Sequence, residues 1–348
     1  MHQGILLTVD YHDQNCVIRR LCAKTGEERV FSVPTTAGDL RHVVAQARAE
    51  VGRRGRVVWL QESTTGWARV QVALGDQVEF LLANVLQMPR PPKGHRRKTD
   101  KVDTARLQRE YRNGSLPLAH QPPAWWRQVR RLVACRENLV SRRTALRNWI
   151  NRYLAHETWA ERGGLWSAKG LRRLQALVAE LPRRDGLVVS AKLAELAYLG
   201  QAVGTVEAEL LQVYHECADA QRLDAVRGIG VVAAVSIVAR IGPVERFGDA
   251  AQLVAYAGLA PGVQQSDQTR RAGRIGGGGT DKHLRHYLIE ASVWARQLER
   301  YRGTYAKTVR RRGVKIGRLV VARLLLRSIY KVLKDGVAFQ PAAAAPGE

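Results

Sequence analysis

Acidic side chains are scarce relative to basic ones: 31 Asp and Glu stand against 56 Lys and Arg, leaving a formal net charge of +25 and a pI near 10.7. Such an excess repels itself unless a polyanion neutralises it, so the partner implied is nucleic acid or an anionic membrane surface. Long apolar runs are missing as well. No window approaches the ~20 consecutive apolar residues of a spanning helix, and the start of the chain has no basic segment followed by an apolar core. No membrane span and no secretory leader are therefore expected, and a cytoplasmic location is. Cysteine is sparse: Cys16, Cys22, Cys135 and Cys217 are scattered without metal-ligand spacing. Free thiols are expected rather than a zinc site or a disulfide framework. What the chain does have is apolar material. With 45% hydrophobic residues over 348 positions, it can build ordinary cores and two domains of roughly 150 residues each.

Residues 1–118 read as α/β. Ile5-Leu6-Leu7-Thr8-Val9 is a β-prone apolar run ending at Asp10, and two further strand-like runs at 16–23 and 29–33 follow across turn-like segments. Residues 37–52 carry Leu40, Val43, Val44, Ala47 and Val51 at helical spacing. Val57-Val58-Trp59-Leu60 makes a fourth strand just before Glu62, then come a short helix and a fifth strand at 78–82. Three strands, helix, strand, helix, strand is the order of an RNase H-like fold, and it places Asp10 and Glu62 at strand ends.

Residues 119–218 show helical periodicity and predict a coiled-coil-like connector, an antiparallel hairpin. Its first arm carries Arg127, Arg130, Arg131, Arg136, Arg142, Arg143 and Arg147, either along a phosphate backbone or as a solvated face. Residues 219–338 predict a mostly helical second domain, and 339–348 a disordered tail. Residues 300–334 hold twelve Lys and Arg and no acid, interleaved with leucine and valine. That pattern suits a membrane surface or nucleic acid, and the basic character of the whole chain favours nucleic acid. The expected fold class is thus α/β plus all-α.

Asp100 and Asp103, three apart, share one face of any helix that contains them. Two facing carboxylates repel unless a cation lies between them. Mg²⁺, or Mn²⁺, takes such oxygen ligands and leaves positions open for phosphate oxygens. The structural alternative is a helix start with acids near the positive dipole end. Around these residues lie nine basic side chains within 90–112, including Arg96, Arg97 and Lys98. Gly228-Ile229-Gly230 resembles the hairpin of a helix-hairpin-helix DNA-binding unit, or is an ordinary tight turn. Gly276 to Gly279 marks a hinge or a close backbone approach. His283 and His286 read as polar surface or phosphate contacts, and Trp125-Trp126 as helix packing or base stacking.

Val9-Asp10-Tyr11-His12, Glu62-Ser63-Thr64-Thr65-Gly66 and Thr99-Asp100-Lys101-Val102-Asp103 together resemble the DEDD insertion-sequence transposases, the bridge-RNA-guided recombinases whose catalytic domain is related to the RuvC Holliday-junction resolvase. Further along, Gly228-Ile229-Gly230, Phe247, Leu253-Val254-Ala255-Tyr256-Ala257-Gly258-Leu259-Ala260-Pro261, Gln265-Ser266 and Leu284-Arg285 fall in the same family's order. The resemblance spans about residues 5–330. It implies that Asp10, Glu62, Asp100 and Asp103 hold Mg²⁺ or Mn²⁺, and that Ser266 forms a transient phosphoserine bond with DNA. It also implies donor and target DNA as substrates, a guide RNA from the same element, and a bacterial, nucleoid-associated homo-oligomer, dimer or tetramer, in which acids and serine come from different subunits. A lone serine hydroxyl is a poor nucleophile. Ser266 has only Asp267 beside it and Arg270, Arg271 and Arg274 downstream, guanidinium groups suited to a scissile phosphate. Arg310, Arg311 and Arg312 are further nucleic-acid contacts. Tyr11-His12-Asp13 departs from the family pattern and puts a fifth acid, Asp13, near the set. The alternatives are a metal-dependent, structure-specific nuclease that makes no serine intermediate, and a decayed relative that binds nucleic acid without catalysis.

Overall fold

The computed structural model describes residues 4–52, 54–88, 100–157, 164–266, 269–276 and 279–339, with backbone alone at 100–102, 157, 261–266 and 269–275. The chain divides into two compact units, 1–121 and 122–348.

The first unit is a five-stranded mixed sheet. Strands β1 (Gly4–Tyr11), β2 (Asn15–Cys22) and β3 (Glu28–Pro34) form an antiparallel meander, and β4 (Arg56–Glu62) and β5 (Glu79–Ala83) add in parallel on the other side of β1. The order across the sheet is β3-β2-β1-β4-β5. Both faces are covered, which is why β1 and β4 read as nearly unbroken apolar runs. On one face Ile5, Leu7, Val9, Val57 and Trp59 pack with Leu40, Val43, Val44 and Ala47 of α1 (Ala37–Val51) and with Val70 and Leu74 of α2 (Trp67–Leu74). On the other, Leu6, Val58 and Leu60 meet Leu107 of α3 (Asp100–Arg112). Helix α1 starts where Thr36 accepts a hydrogen bond from Asp39 N at 3.1 Å and stops at Gly52, φ 67°. These elements match the α/β order expected from the sequence.

The second unit is mostly helical. Helices α4 (Ala124–Glu157) and α6 (Arg183–Glu216) are 34 residues each, about 50 Å of antiparallel hairpin. Toward the end where α4 finishes and α6 starts, Leu146, Ile150, Leu154, Leu196 and Leu199 pack with Leu174 of α5 (Ala168–Glu180). At the other end Val129, Val133, Leu210 and Val213 belong to the same core as α7 (Ala218–Leu223), α8 (Val231–Ile241), α9 (Ala250–Tyr256), α10 (Lys282–Ala295) and α12 (Val314–Asp335). Helix α11 (Glu299–Arg312) runs back along α12. Between α9 and α10 the chain makes an antiparallel hairpin, β6 (Pro261–Ser266) and β7 (Thr269–Ile275), which the helical reading of this region did not anticipate. Trp125 and Trp126, edge to face at 4.5 Å, pack against this core, in agreement with the helix-packing reading.

The basic interleaved stretch 300–334 spends its apolar side internally: Leu324, Leu325 and Ile329 are buried in the core. No described helix is long and apolar enough to cross a membrane. Phe339, assigned from the sequence to a disordered tail, is packed, with its N–H toward Arg222 O and Arg300 over its ring; residues 340–348 lie outside the described residues.

Much of the basic face of α4 is also spent inside. Arg127 donates to Pro122 O, Arg136 pairs with Glu207 at 2.6 Å, and Arg147 lies over the Trp166 ring. Arg130 donates to Ala239 O at 2.6 Å and Arg240 O at 3.0 Å, capping the end of α8 beside Arg246 and Tyr256. Burial pulls the Arg130 guanidinium below its usual range. Hydrogen bonds from a charged donor contribute about 1.5–3 kcal/mol each, and Arg246 shares one acceptor. Arg130→Ala is therefore expected to destabilise the second unit by about 2 kcal/mol in thermal or urea unfolding; an unchanged midpoint would remove this capping role. Arg131 and Arg142 are exposed, as both the phosphate-track and the solvated-face readings of the arm require.

Candidate active site

Asp10 lies on β1 and Glu62 ends β4. The two strands are parallel neighbours, paired through Val9 and Gln61, so the acids stand one step beyond that pair. Adjacent strands lie about 4.8 Å apart. Leu6 of β1 and Val58 and Leu60 of β4 share the face covered by α3, so alternation sends Asp10 and Glu62 to that face too. Helix α3, described from Asp100 onward, brings Asp103, half-buried, onto the same side, with Thr104, Leu107 and Gln108 buried beneath it. Its seat is fixed by polar ties to β2 and β3: Arg19 donates to Thr104 Oγ1 at 3.4 Å, and Gln108 to Glu28 at 3.0 Å. Asp10 is 19% exposed and pairs with His12 at 3.4 Å. The side chain of Asp100 lies outside the described residues, as do Arg96, Arg97 and Lys98 altogether.

Asp13, the fifth acid near this set, is drawn off. It pairs with Arg69 at 2.8 Å, and Arg69 also donates to the Tyr11 hydroxyl, which belongs to the opposite face of the sheet. Gly66 completes this arrangement in the loop after Glu62. Its φ is +93°, and a Cβ there would come within 2.8 Å of Tyr11 Oη.

The donor set suits a hard divalent cation, since all members are carboxylates. Among the described residues no three His, Cys, Asp or Glu side chains are already gathered closely enough to hold a metal. The described part of the set is thus two acids on adjacent strand ends and one on the helix above them.

Ser266 is the last residue of β6, paired in register with Thr269; Gln265 pairs with Arg270 and Gln264 with Arg271, and Arg274 lies further down β7. This places the serine at the tip of the hairpin with the arginines in the facing strand. The base of the hairpin is tied from several sides. Arg323 of α12 donates from Nε and Nη2 to Leu259 O at 3.1 and 3.0 Å. Asp281 N donates to Tyr256 O at 2.8 Å, and the Asp281 carboxylate caps α10 and faces Arg240 at 3.7 Å. Gly258 (φ +66°) and Gly276 (φ +84°) both lie against the Arg285 guanidinium.

Both units match known proteins. A family model described as a transposase, of the DEDD type in the IS110 group, matches residues 9–157; another, described as the IS116/IS110/IS902 transposase family, matches residues 220–307. The chain belongs to the IS110 family of DEDD transposases. Relatives of this IS110-family chain include the transposase for insertion sequence element IS1111A of Coxiella burnetii, 25% identical over 59% of the chain. A putative transposase of Sinorhizobium fredii is 29% identical over 80% of it, and a probable family 20 transposase of Pseudomonas aeruginosa 29% identical over 47%. The match spans 61% of the Coxiella protein's length, 68% of the Sinorhizobium one and 49% of the Pseudomonas one.

For an IS110-family chain, several further residues read from the sequence take different places. His283, assigned to surface or phosphate contact, bonds Glu137 of α4 at 2.7 Å, while His286 is exposed. Gly228 (φ +95°) packs against Trp294, where a Cβ would come within 2.7 Å, and Gly230 leads into α8. Gly277 and Gly278 lie outside the described residues. Arg310, Arg311 and Arg312 are exposed in the last turn of α11, where cations also favour the helix dipole. Sequence reasoning missed Arg323 and the anchoring part played by Arg285. For Arg285 the signal is only that Leu284-Arg285 follows the glycine-containing block 253–261 in the order of the resembled family; nothing in the sequence marks Arg323.

Proposed function

We propose that this chain cuts and rejoins DNA as an insertion-sequence transposase, with an RNase H-like acidic domain and a serine nucleophile in the helical unit. The observation that carries the reading is the placement of Asp10 and Glu62 on neighbouring strand ends beneath the helix that bears Asp100 and Asp103. Those four acids would hold Mg²⁺ or Mn²⁺, which supplies charge neutralisation at the reacting phosphate. The protein's own part is positional. Strands β1 and β4 carry two of the acids on adjacent strand ends, and α3, which bears the other two in its sequence, packs over that face. At the hairpin tip, the Ser266 Oγ–P bond forms as the P–O bond to the departing strand breaks, and the serine proton ends on the departing hydroxyl. The phosphodiester energy is kept in the phosphoserine, so a second strand's hydroxyl can reverse the step and free the serine. Arg270, Arg271 and Arg274 would hold the phosphate. A guide RNA of the same element and assembly as a dimer or tetramer, with acids and serine from different copies, complete the proposal.

The test is recombination with purified protein, element RNA, donor and target DNA and Mg²⁺, with products denatured and probed for a protein–DNA adduct. Wild type is expected to form the adduct, and Ser266→Ala and Asp10→Ala to form none. Free cut ends from both wild type and Ser266→Ala, without adduct, would leave a metal-dependent nuclease. Binding without any cutting would leave a decayed relative.

A further inference from the structure

Helices α11 and α12 approach closely at Gly317, where a Cβ would come within 2.7 Å of Val309. Beside this close approach they leave a recess of about 240 Å³. Thr304, Lys307, Thr308 and Arg311 line it from α11, with Arg312 at its end and Arg323 from α12. Ile316 and Val320 supply an apolar floor, and no acid lines it. Four cations and two hydroxyls on a shallow apolar floor make a poor site for a metal or a cationic ligand. They suit the oxygens of a phosphodiester, with the floor against the sugar.

We infer that this recess binds the DNA backbone next to the strand on which Ser266 acts, an assignment that rests on the proposed function. The choice of DNA follows from Arg323. Two of the five N–H donors of its guanidinium go to Leu259 O, two residues before β6, which ends on Ser266. The remaining donors belong to a side chain that lines the recess, so one residue joins the recess to the base of the serine hairpin. A phosphate held there lies on the path of the DNA strand that reaches the hairpin. Thr308 donates to Thr304 O at 2.8 Å, a local bond that a hydroxyl exchanges readily for a phosphate oxygen. Among the sequence-assigned arginines, Arg311 and Arg312 line the recess and Arg310 does not.

Binding of full-length Ser266→Ala protein to a labelled DNA duplex, followed by anisotropy across a salt series without divalent cation, tests the assignment. Strand chemistry is absent from this assay, so its failure is separable from failure of the serine mechanism, which only the adduct assay reads. The double variant Lys307→Gln/Arg311→Gln is expected to lower the slope of log affinity against log salt by about 2, because each phosphate left without its cation removes about 0.9. Arg302→Gln, one charge removed from an exposed position outside the recess, is expected to leave that slope unchanged. Lys307→Arg/Arg311→Lys, which keeps both charges, is expected to restore it. Equal slopes for wild type and the Gln variant would overturn the assignment, as would an equal drop with Arg302→Gln. A drop seen only with single-stranded RNA of the same length would overturn it in favour of an RNA-binding surface.

Discussion

Asp10→Asn is expected to lower strand cutting by about a thousandfold while leaving thermal stability in metal-free buffer within about 1 kcal/mol of wild type. Asparagine fills the same space at the end of β1 and keeps an oxygen, so the sheet register through Val9 and Gln61 has no reason to change. The contact removed with His12 involves a 56% exposed imidazole, and even a charged pair so exposed contributes only about 0–1 kcal/mol. Against this, one of two like charges on adjacent strands disappears, a change of similar size and opposite sign. Catalysis has no such offset. Neutralising charge at a phosphoryl centre contributes several kcal/mol, and about 4 kcal/mol is a thousandfold in rate. A second readout does not depend on turnover. Ligand at a hundred times its dissociation constant stabilises the folded state by about 2.7 kcal/mol, so Mn²⁺ is expected to raise the melting temperature of wild type and not of Asp10→Asn. Equal shifts for both proteins would show that Asp10 is not a ligand. Cutting that persists in the variant would remove it from the chemistry.

The first unit was legible in the sequence because its signals are local. Both faces of β1 and β4 are buried, so Ile5 to Val9 and Val57 to Leu60 stand out as apolar runs, and the spacing of Leu40, Val43, Val44 and Ala47 marks α1. Asp10 and Glu62 inherit their places from those strands. What was not legible depends on partners far away in the chain. Asp13 reads as an acid beside the site until Arg69, 56 residues on, takes it. The arginines of α4 read as a phosphate track or a solvated face, yet the acceptors of Arg130 lie 109 and 110 residues ahead. The β6–β7 hairpin shows the same limit. Its strands are short, and what fixes its base is Arg323, 64 residues beyond Leu259, together with Asp281 and Arg285. A glycine-rich block announces that the backbone needs room there, but not which side chain fills the room.

That side chain can be tested. Gly258→Val is expected to destabilise the second unit by about 3 kcal/mol and to abolish the DNA adduct. The φ of Gly258 is +66°, and a Cβ would lie 2.7 Å from both Arg285 Nη1 and Thr280 Oγ1. Left-handed backbone costs an ordinary L-residue about 1–2 kcal/mol, and a β-branched one is a genuine outlier there. The overlap adds to this, because the Arg285 guanidinium also lies against Gly276 and has little space to withdraw. Relief by moving the backbone would shift Leu259 off Arg323 and tilt the hairpin that ends on Ser266, so the loss of adduct should exceed what the loss of stability explains. Gly258→Ala combined with Arg285→Ala separates the two costs. If the guanidinium is the obstacle, the double variant is more stable than the sum of the single effects by about 1 kcal/mol, within the range for residues in contact. Additive effects would leave backbone strain and the overlap with Thr280 as the reasons for the glycine, and would remove Arg285 as the group that sets the angle of the hairpin.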